Sequence, residues 1–104
     1  MGTNPFYSAV GARIRAIREA AGMTQEEFAA AASMNAAFAG RVERGLQNLS
    51  LLTIGRAAIA LSVPPAELFR DVQADQSLLR VPSRRKLVRK ARAGTAQLPG
   101  DGPD

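Results

Sequence analysis

The sequence predicts an all-α domain, a compact bundle of five short helices followed by a basic C-terminal tail. Three observations predict it. Apolar residues recur at intervals of three and four. Stretches with that spacing open on residue types that cap helices. No strand pattern or internal repeat appears. The chain has 104 residues, 46% of them apolar, which suits one domain with one small core.

Asn4-Pro5 pairs an N-cap residue with a proline at the first helical position. The series Phe6, Val10, Ile14, Ile17, Ala21 follows at helical spacing, and Gly22 ends it. Thr24-Gln25-Glu26-Glu27 is a capping box for a second helix, with Phe28, Ala29 and Ala32 on one face. Ser33-Met34 breaks the pattern. Asn35 caps a third helix, which runs through Arg41, Val42 and Glu43 to Gly45, a C′ residue. Gln47-Asn48-Leu49 reads as a loop. Ser50 caps a fourth helix to about Leu61, with Leu51, Ile54, Ala58 and Leu61 expected on its inner face. Pro64-Pro65 begins a fifth helix, Ala66 to about Val72, with Glu67 near its positive end. After Gln76 the character changes. Ser83 is a cap for a possible extra basic helix, Arg84 to Ala93, and the last residues, from Thr95 on, read as disordered. The expected division is a domain over 1–76 and a tail over 77–104.

Net charge is +5, unevenly placed. Residues 1–76 carry seven basic and seven acidic side chains, so the whole excess lies in residues 77–104. Any affinity of the folded part for an anionic partner must therefore come from local placement of arginine. The sequence has no Cys and no His, which removes disulfides, thiolate metal sites and the commonest general base. It also has no Gly-rich phosphate loop and no paired acids outside caps and salt bridges. No enzyme activity, cofactor or metal is expected. No apolar run approaches membrane-spanning length and no signal-peptide pattern opens the chain, so a cytoplasmic protein without a membrane partner is expected.

Residues 24–45, TQEEFAAAASMNAAFAGRVERG, place two short helices around a tight turn. That is the layout of a helix-turn-helix, whose second helix enters the DNA major groove. On ARIRAIREAAGMTQEEFAAAA, then RVERG, then NLSLLTIGRAAIALSVPPAELF, the chain resembles the Xre/Cro-type helix-turn-helix regulators, with their phage-repressor-like five-helix domain. The likeness covers about residues 10–69. ERG with a short loop, N-x-S-L and VPPAELF most resemble the small controller proteins of restriction–modification systems and similar autoregulators.

The resemblance implies roles for particular residues. Thr24, Gln25, Arg44, Gln47 and Asn48 fall where backbone phosphate is bound. Ala36, Ala37, Gly40 and Arg41 lie where base-reading side chains project. Arg18 and Glu43 occupy the positions of a structural salt bridge between helices one and three. Leu52, Ile59, Leu68, Phe69 and Val72 would form a homodimer surface, the alternative being ordinary exposed apolar residues.

There are departures from the family pattern. Ser33 stands where glycine is common, so a positive φ there carries a cost. Ala39 replaces a larger aliphatic residue, with Met34 or Phe38 to compensate. Ala36 and Ala37 replace polar readers and offer only van der Waals contact, for example to a thymine methyl. Gly40 would let the helix lie close to DNA. That leaves Arg41 as the candidate guanine reader, against the alternative of a phosphate contact.

The leading expectation is a dimeric, sequence-specific, autoregulatory transcription regulator bound to double-stranded DNA at an inverted repeat. The alternative is an adaptor or antitoxin that binds a protein partner through the tail. Basic residues 84–90 fit a phosphate-binding arm, a partner-docking helix or a solvated tail.

Overall fold

The computed structural model describes residues 4–79. They form four α-helices, α1 (Pro5–Ala20), α2 (Gln25–Ala31), α3 (Ala36–Glu43) and α4 (Leu51–Leu61), followed by a 3-10 turn at Pro65–Phe69. There is no strand among the described residues. The chain divides into two compact units, residues 1–74 and 75–104. The described part of the second holds one 3-10 turn, Gln76–Leu78, opened by an Asp75 side chain that accepts the Ser77 amide. The extra basic helix expected from Arg84 to Ala93 lies outside the described residues.

Each α-helix starts on a side chain that takes up otherwise unsatisfied amides. Asn4 Oδ1 accepts the N–H groups of Phe6 and Tyr7 at 2.8 and 3.2 Å. Thr24 Oγ1 accepts the Glu27 amide at 3.0 Å, and the Glu27 carboxylate accepts the Thr24 amide in return at 2.8 Å. Asn35 and Ser50 cap α3 and α4 in the same way. Such caps contribute about 1 kcal/mol each, which matters for helices this short.

The helices also end alike. In each, the residue after the left-handed position returns its amide to a carbonyl one turn back: Met23 to Arg18, Met34 to Ala29, Leu46 to Arg41 and Val63 to Ala58. Gly22 and Gly45 supply the left-handed residue after α1 and α3. Ser33 and Ser62, both at φ 59°, supply it after α2 and α4.

Phe28, Ile14 and Leu68 are the largest wholly buried side chains. Val10, Val42, Ile54, Leu61 and a set of alanines complete the core around them. α3 packs against both α1 and α2, while α4 packs against α2 and the 3-10 turn. The approach of α1 to α3 depends on Gly11. A methyl group there would lie 2.3 Å from the Val42 carbonyl oxygen. Ala39 is fully buried, and Met34 and Phe38 pack at the edge of the core.

Three expectations are corrected. The fifth helix is only the 3-10 turn Pro65–Phe69. The Glu67 carbonyl, which an α-helix would use four residues on, instead accepts Arg13 Nε at 3.0 Å and the Arg70 amide. Asp71 then takes φ 62° and turns the chain away.

Leu68 is not available to a dimer surface. It is 0% exposed, packed where the 3-10 turn meets α1 and α4. Leu51 is 90% exposed instead of facing inward. The inner stripe of α4 is Ile54, Ala57, Ala58 and Leu61, and Leu51 lies one turn beyond it. It stands at the rim of an apolar groove of about 160 Å³ shared with Phe6, Leu49 and Phe69.

Candidate nucleic-acid interface

The inner side of α3 is anchored by one carboxylate. Arg18 donates from Nε and Nη2 to the two Glu43 oxygens at 2.6 and 3.0 Å, a bidentate pair in which both residues are buried. Arg18 Nη1 also donates to the Met23 carbonyl at 2.9 Å. The Glu43 hydrogen bonds hold the Arg18 pKa above its ordinary value, outweighing the effect of burial; the nearby charges of Glu43, Glu19 and Glu26 act in the same direction. Arg18 is thus charged at any working pH. The pair joins α1, the α1–α2 turn and α3.

Gln25 belongs to the same cluster. Its Nε2 donates to Glu43 Oε1 at 3.1 Å. The side chain expected at phosphate therefore links the start of α2 to α3, with one of its two amide hydrogens committed there. Thr24 beside it is exposed. Gly40 is buried, and a methyl group on it would meet Arg44 Nη1 at 3.1 Å and Gln25 Oε1 at 3.4 Å. Its bareness makes room for those two side chains; it does not bare the backbone toward a base. This corrects the reading of Gly40 as a base contact.

The outer side of α3 is built differently. Ala37 is exposed and Ala36 half-buried. Arg41 is half-buried and held on two sides. Its Nε donates to Gln47 Oε1 at 2.9 Å, and its guanidinium carbon lies 5.7 Å from the centroid of the Phe38 ring, within cation–π range. Arg44 and Asn48 are exposed. Arg41 and Arg56 line one cleft of about 350 Å³ beside the α2–α3 turn. Arg41 is thus brought to Gln47 of the following loop and to Arg56 of α4, and Arg44 to Gly40 and Gln25. Phe38 was legible only as a core substitute. Its position three residues before Arg41, one helical turn, was the signal for its second role.

The arginines sort into two groups. Arg13 pairs with Glu67, Arg15 with Glu19, Arg18 with Glu43 and Arg70 with Glu67. Arg41, Arg44 and Arg56 have no acidic partner among the described residues. The unpaired positive charge of the described residues thus stands on α3, its C-cap and α4.

Of the apolar residues expected at a dimer surface, Leu52 and Ile59 are exposed on α4, at 62% and 77%. Phe69 is partly exposed, and Val72 packs on the core's edge.

The fold is similar to that of known proteins. Residues 14–68 match the family described as helix-turn-helix. The restriction–modification controller protein C.AhdI from Aeromonas hydrophila is 40% identical, at a TM-score of 0.60 over 61% of this chain and 96% of its own. A single-residue variant of the restriction–modification controller protein C.Esp1396I is 28% identical, at 0.61 over 69% of this chain and 90% of its own. The clp gene regulator ClgR from C. glutamicum is 25% identical, at 0.62 over 64% of this chain and 87% of its own. No curated protein sequence matches the chain.

Proposed function

Because this chain belongs to the Xre/Cro-type helix-turn-helix family of DNA-binding transcription regulators, we propose that it acts as a controller-type regulator in the cytoplasm, as a homodimer on an inverted repeat, including one at its own promoter. The family is non-enzymatic. The observation that carries the reading is the segregation of arginines: all those without an acidic partner among the described residues are Arg41, Arg44 and Arg56 on α3 and α4.

In this reading α3 lies in the major groove. Arg41 reads a guanine edge, Ala36 and Ala37 pack on base methyl groups, and Arg44 with Asn48 meets phosphate. In the same reading, Thr24 and the second amide hydrogen of Gln25 meet phosphate at the start of α2. Leu52 and Ile59, with Phe69 and Val72, supply the apolar surface for a second copy. The exposure of Leu52, Ile59 and Phe69 on a small domain is what supports that part of the reading.

DNase footprinting on the DNA upstream of the gene, together with sedimentation of the free protein, tests the proposal. The expected result is a dimer at micromolar concentration and a protected palindrome with half-site centres about 34 Å apart or a multiple of that. A monomer that protects no palindrome sinks it. In that event a pull-down dependent on residues 77–104 would favour the adaptor or antitoxin reading.

A further inference from the structure

We infer that Gln47 is a positioning residue for base readout, fixing which edge of Arg41 faces the DNA. The inference rests on the reading of Arg41 as the base reader. The resemblance placed Gln47 at phosphate, but its side-chain oxygen accepts Arg41 Nε at 2.9 Å. Arg41 is on α3, while Gln47 lies beyond the helix end, so the bond crosses from helix to loop.

A guanidinium can meet guanine O6 and N7 side-on, through Nε and one Nη, or end-on, through both Nη groups. With Nε–H committed to Gln47, only the end-on edge remains. The Phe38 ring, 5.7 Å from the guanidinium carbon, limits its swing on another side. Two constraints on one flexible side chain reduce the rotamer freedom lost on binding. That loss matters here because Ala36 and Ala37 contribute no hydrogen bonds of their own.

The test is competition binding with the full-length protein. The wild type first selects its site from duplexes randomised across two half-sites. That site is then substituted one base pair at a time. Arg41→Ala identifies the base pair that Arg41 reads. Gln47→Ala should lose about threefold to tenfold in discrimination at that same base pair, the scale of one net hydrogen bond. Its affinity for random duplex and its salt slope should be unchanged. In the Arg41→Ala background Gln47→Ala should cost no further discrimination. Gln47→Glu, which keeps the acceptor, should retain the discrimination while binding every duplex more weakly. Thermal melts of each variant separate these effects from folding, because lost stability cannot shift preference at one base pair.

Two results overturn the inference while leaving Arg41 as reader. One is a uniform loss on all duplexes, specific and random alike, which marks a phosphate contact. The other is a changed preference at a different base pair, which marks Gln47 as a reader itself. If Arg41→Ala shifts no base preference, both this inference and the base-reading assignment fail together.

Discussion

The side of α3 that faces the domain buries Ala39, Val42 and Glu43, and the Glu43 carboxylate accepts two hydrogen bonds from Arg18 and one from Gln25. The side that faces outward carries two alanines and two arginines without acidic partners among the described residues. Apolar packing alone is non-directional and would let so short a helix rotate or slide on its neighbours. A bidentate pair fixes direction as well as distance. Pose is thus set from behind by a buried polar cluster, and reading is left to few side chains in front. A recognition surface with one long reader tolerates little error in helix position, since a shift of an ångström moves that reader off the base edge. The inner side should therefore govern folding and the outer side affinity, with little exchange between them.

The largest expected effect is on the inner side. Glu43→Ala removes the acceptor for Arg18 and Gln25 and strands a buried guanidinium. The expected loss is about 3–5 kcal/mol. A domain of this size has about 4–10 kcal/mol in total, so the variant should be close to unfolding. Urea denaturation of the full chain measures it. An unchanged midpoint would mean that the pair does not hold α3 and that the contrast between the two sides is false. pH offers no route to break the pair through Arg18: its pKa is raised, so its stabilising charge persists at every pH below the ordinary arginine value and is lost only above it.

Arg41→Ala, on the outer side, should leave the denaturation midpoint within about 0.5 kcal/mol of wild type. It should cost about 1–3 kcal/mol of binding at the selected site and relax preference at one base pair per half-site. Equal losses on every duplex would make Arg41 a backbone contact and leave specificity to DNA shape. A large loss of stability would show that the Arg41–Gln47 bond belongs to the frame.

The four α-helices were legible because their start signals are local. Asn4, Thr24, Asn35 and Ser50 were read as caps from residue type, and each accepts an amide as expected. The ends at Gly22 and Gly45 were legible for the same reason. The end of α4 at Leu61 was also read, but not the left-handed turn at Ser62 that makes it, because serine carries no left-handed preference. The 3-10 turn was misread as a helix because its competitor is remote: Arg13, 54 positions upstream, takes the Glu67 carbonyl. Leu68 was misassigned to the surface because nothing local says which side of a turn faces the core. At the interface, the expected roles of Arg41 and Arg44 came from the family resemblance. The partners that turn them, Gln47 across a helix end and Gly40 beneath Arg44, depend on the folded chain.

The smallest expected effect separates the two sides most cleanly, because it removes no hydrogen bond or ion pair from either. Ser33 lies in the turn between α2 and α3 at φ 59°, a left-handed conformation that costs an L-residue about 1–2 kcal/mol. Its side chain is exposed and makes no hydrogen bond among the described residues, while its amide and that of Met34 close the helix end onto Ala30 and Ala29. Glycine would keep both backbone bonds and remove the Cβ conflict. Its greater freedom in the unfolded chain offsets part of the gain, by about 0.4–1 kcal/mol. Ser33→Gly should therefore stabilise by about 0.5–1 kcal/mol, a rise in Tm of about 2–8 °C for a domain of this size. Affinity and base preference on the selected duplex should be unchanged, since α3 keeps its anchor at Glu43. Unchanged or lower Tm would mean that the serine itself holds the turn. A higher Tm accompanied by weaker or altered DNA binding would show that the turn, and not the buried pair alone, sets the angle at which α3 is presented.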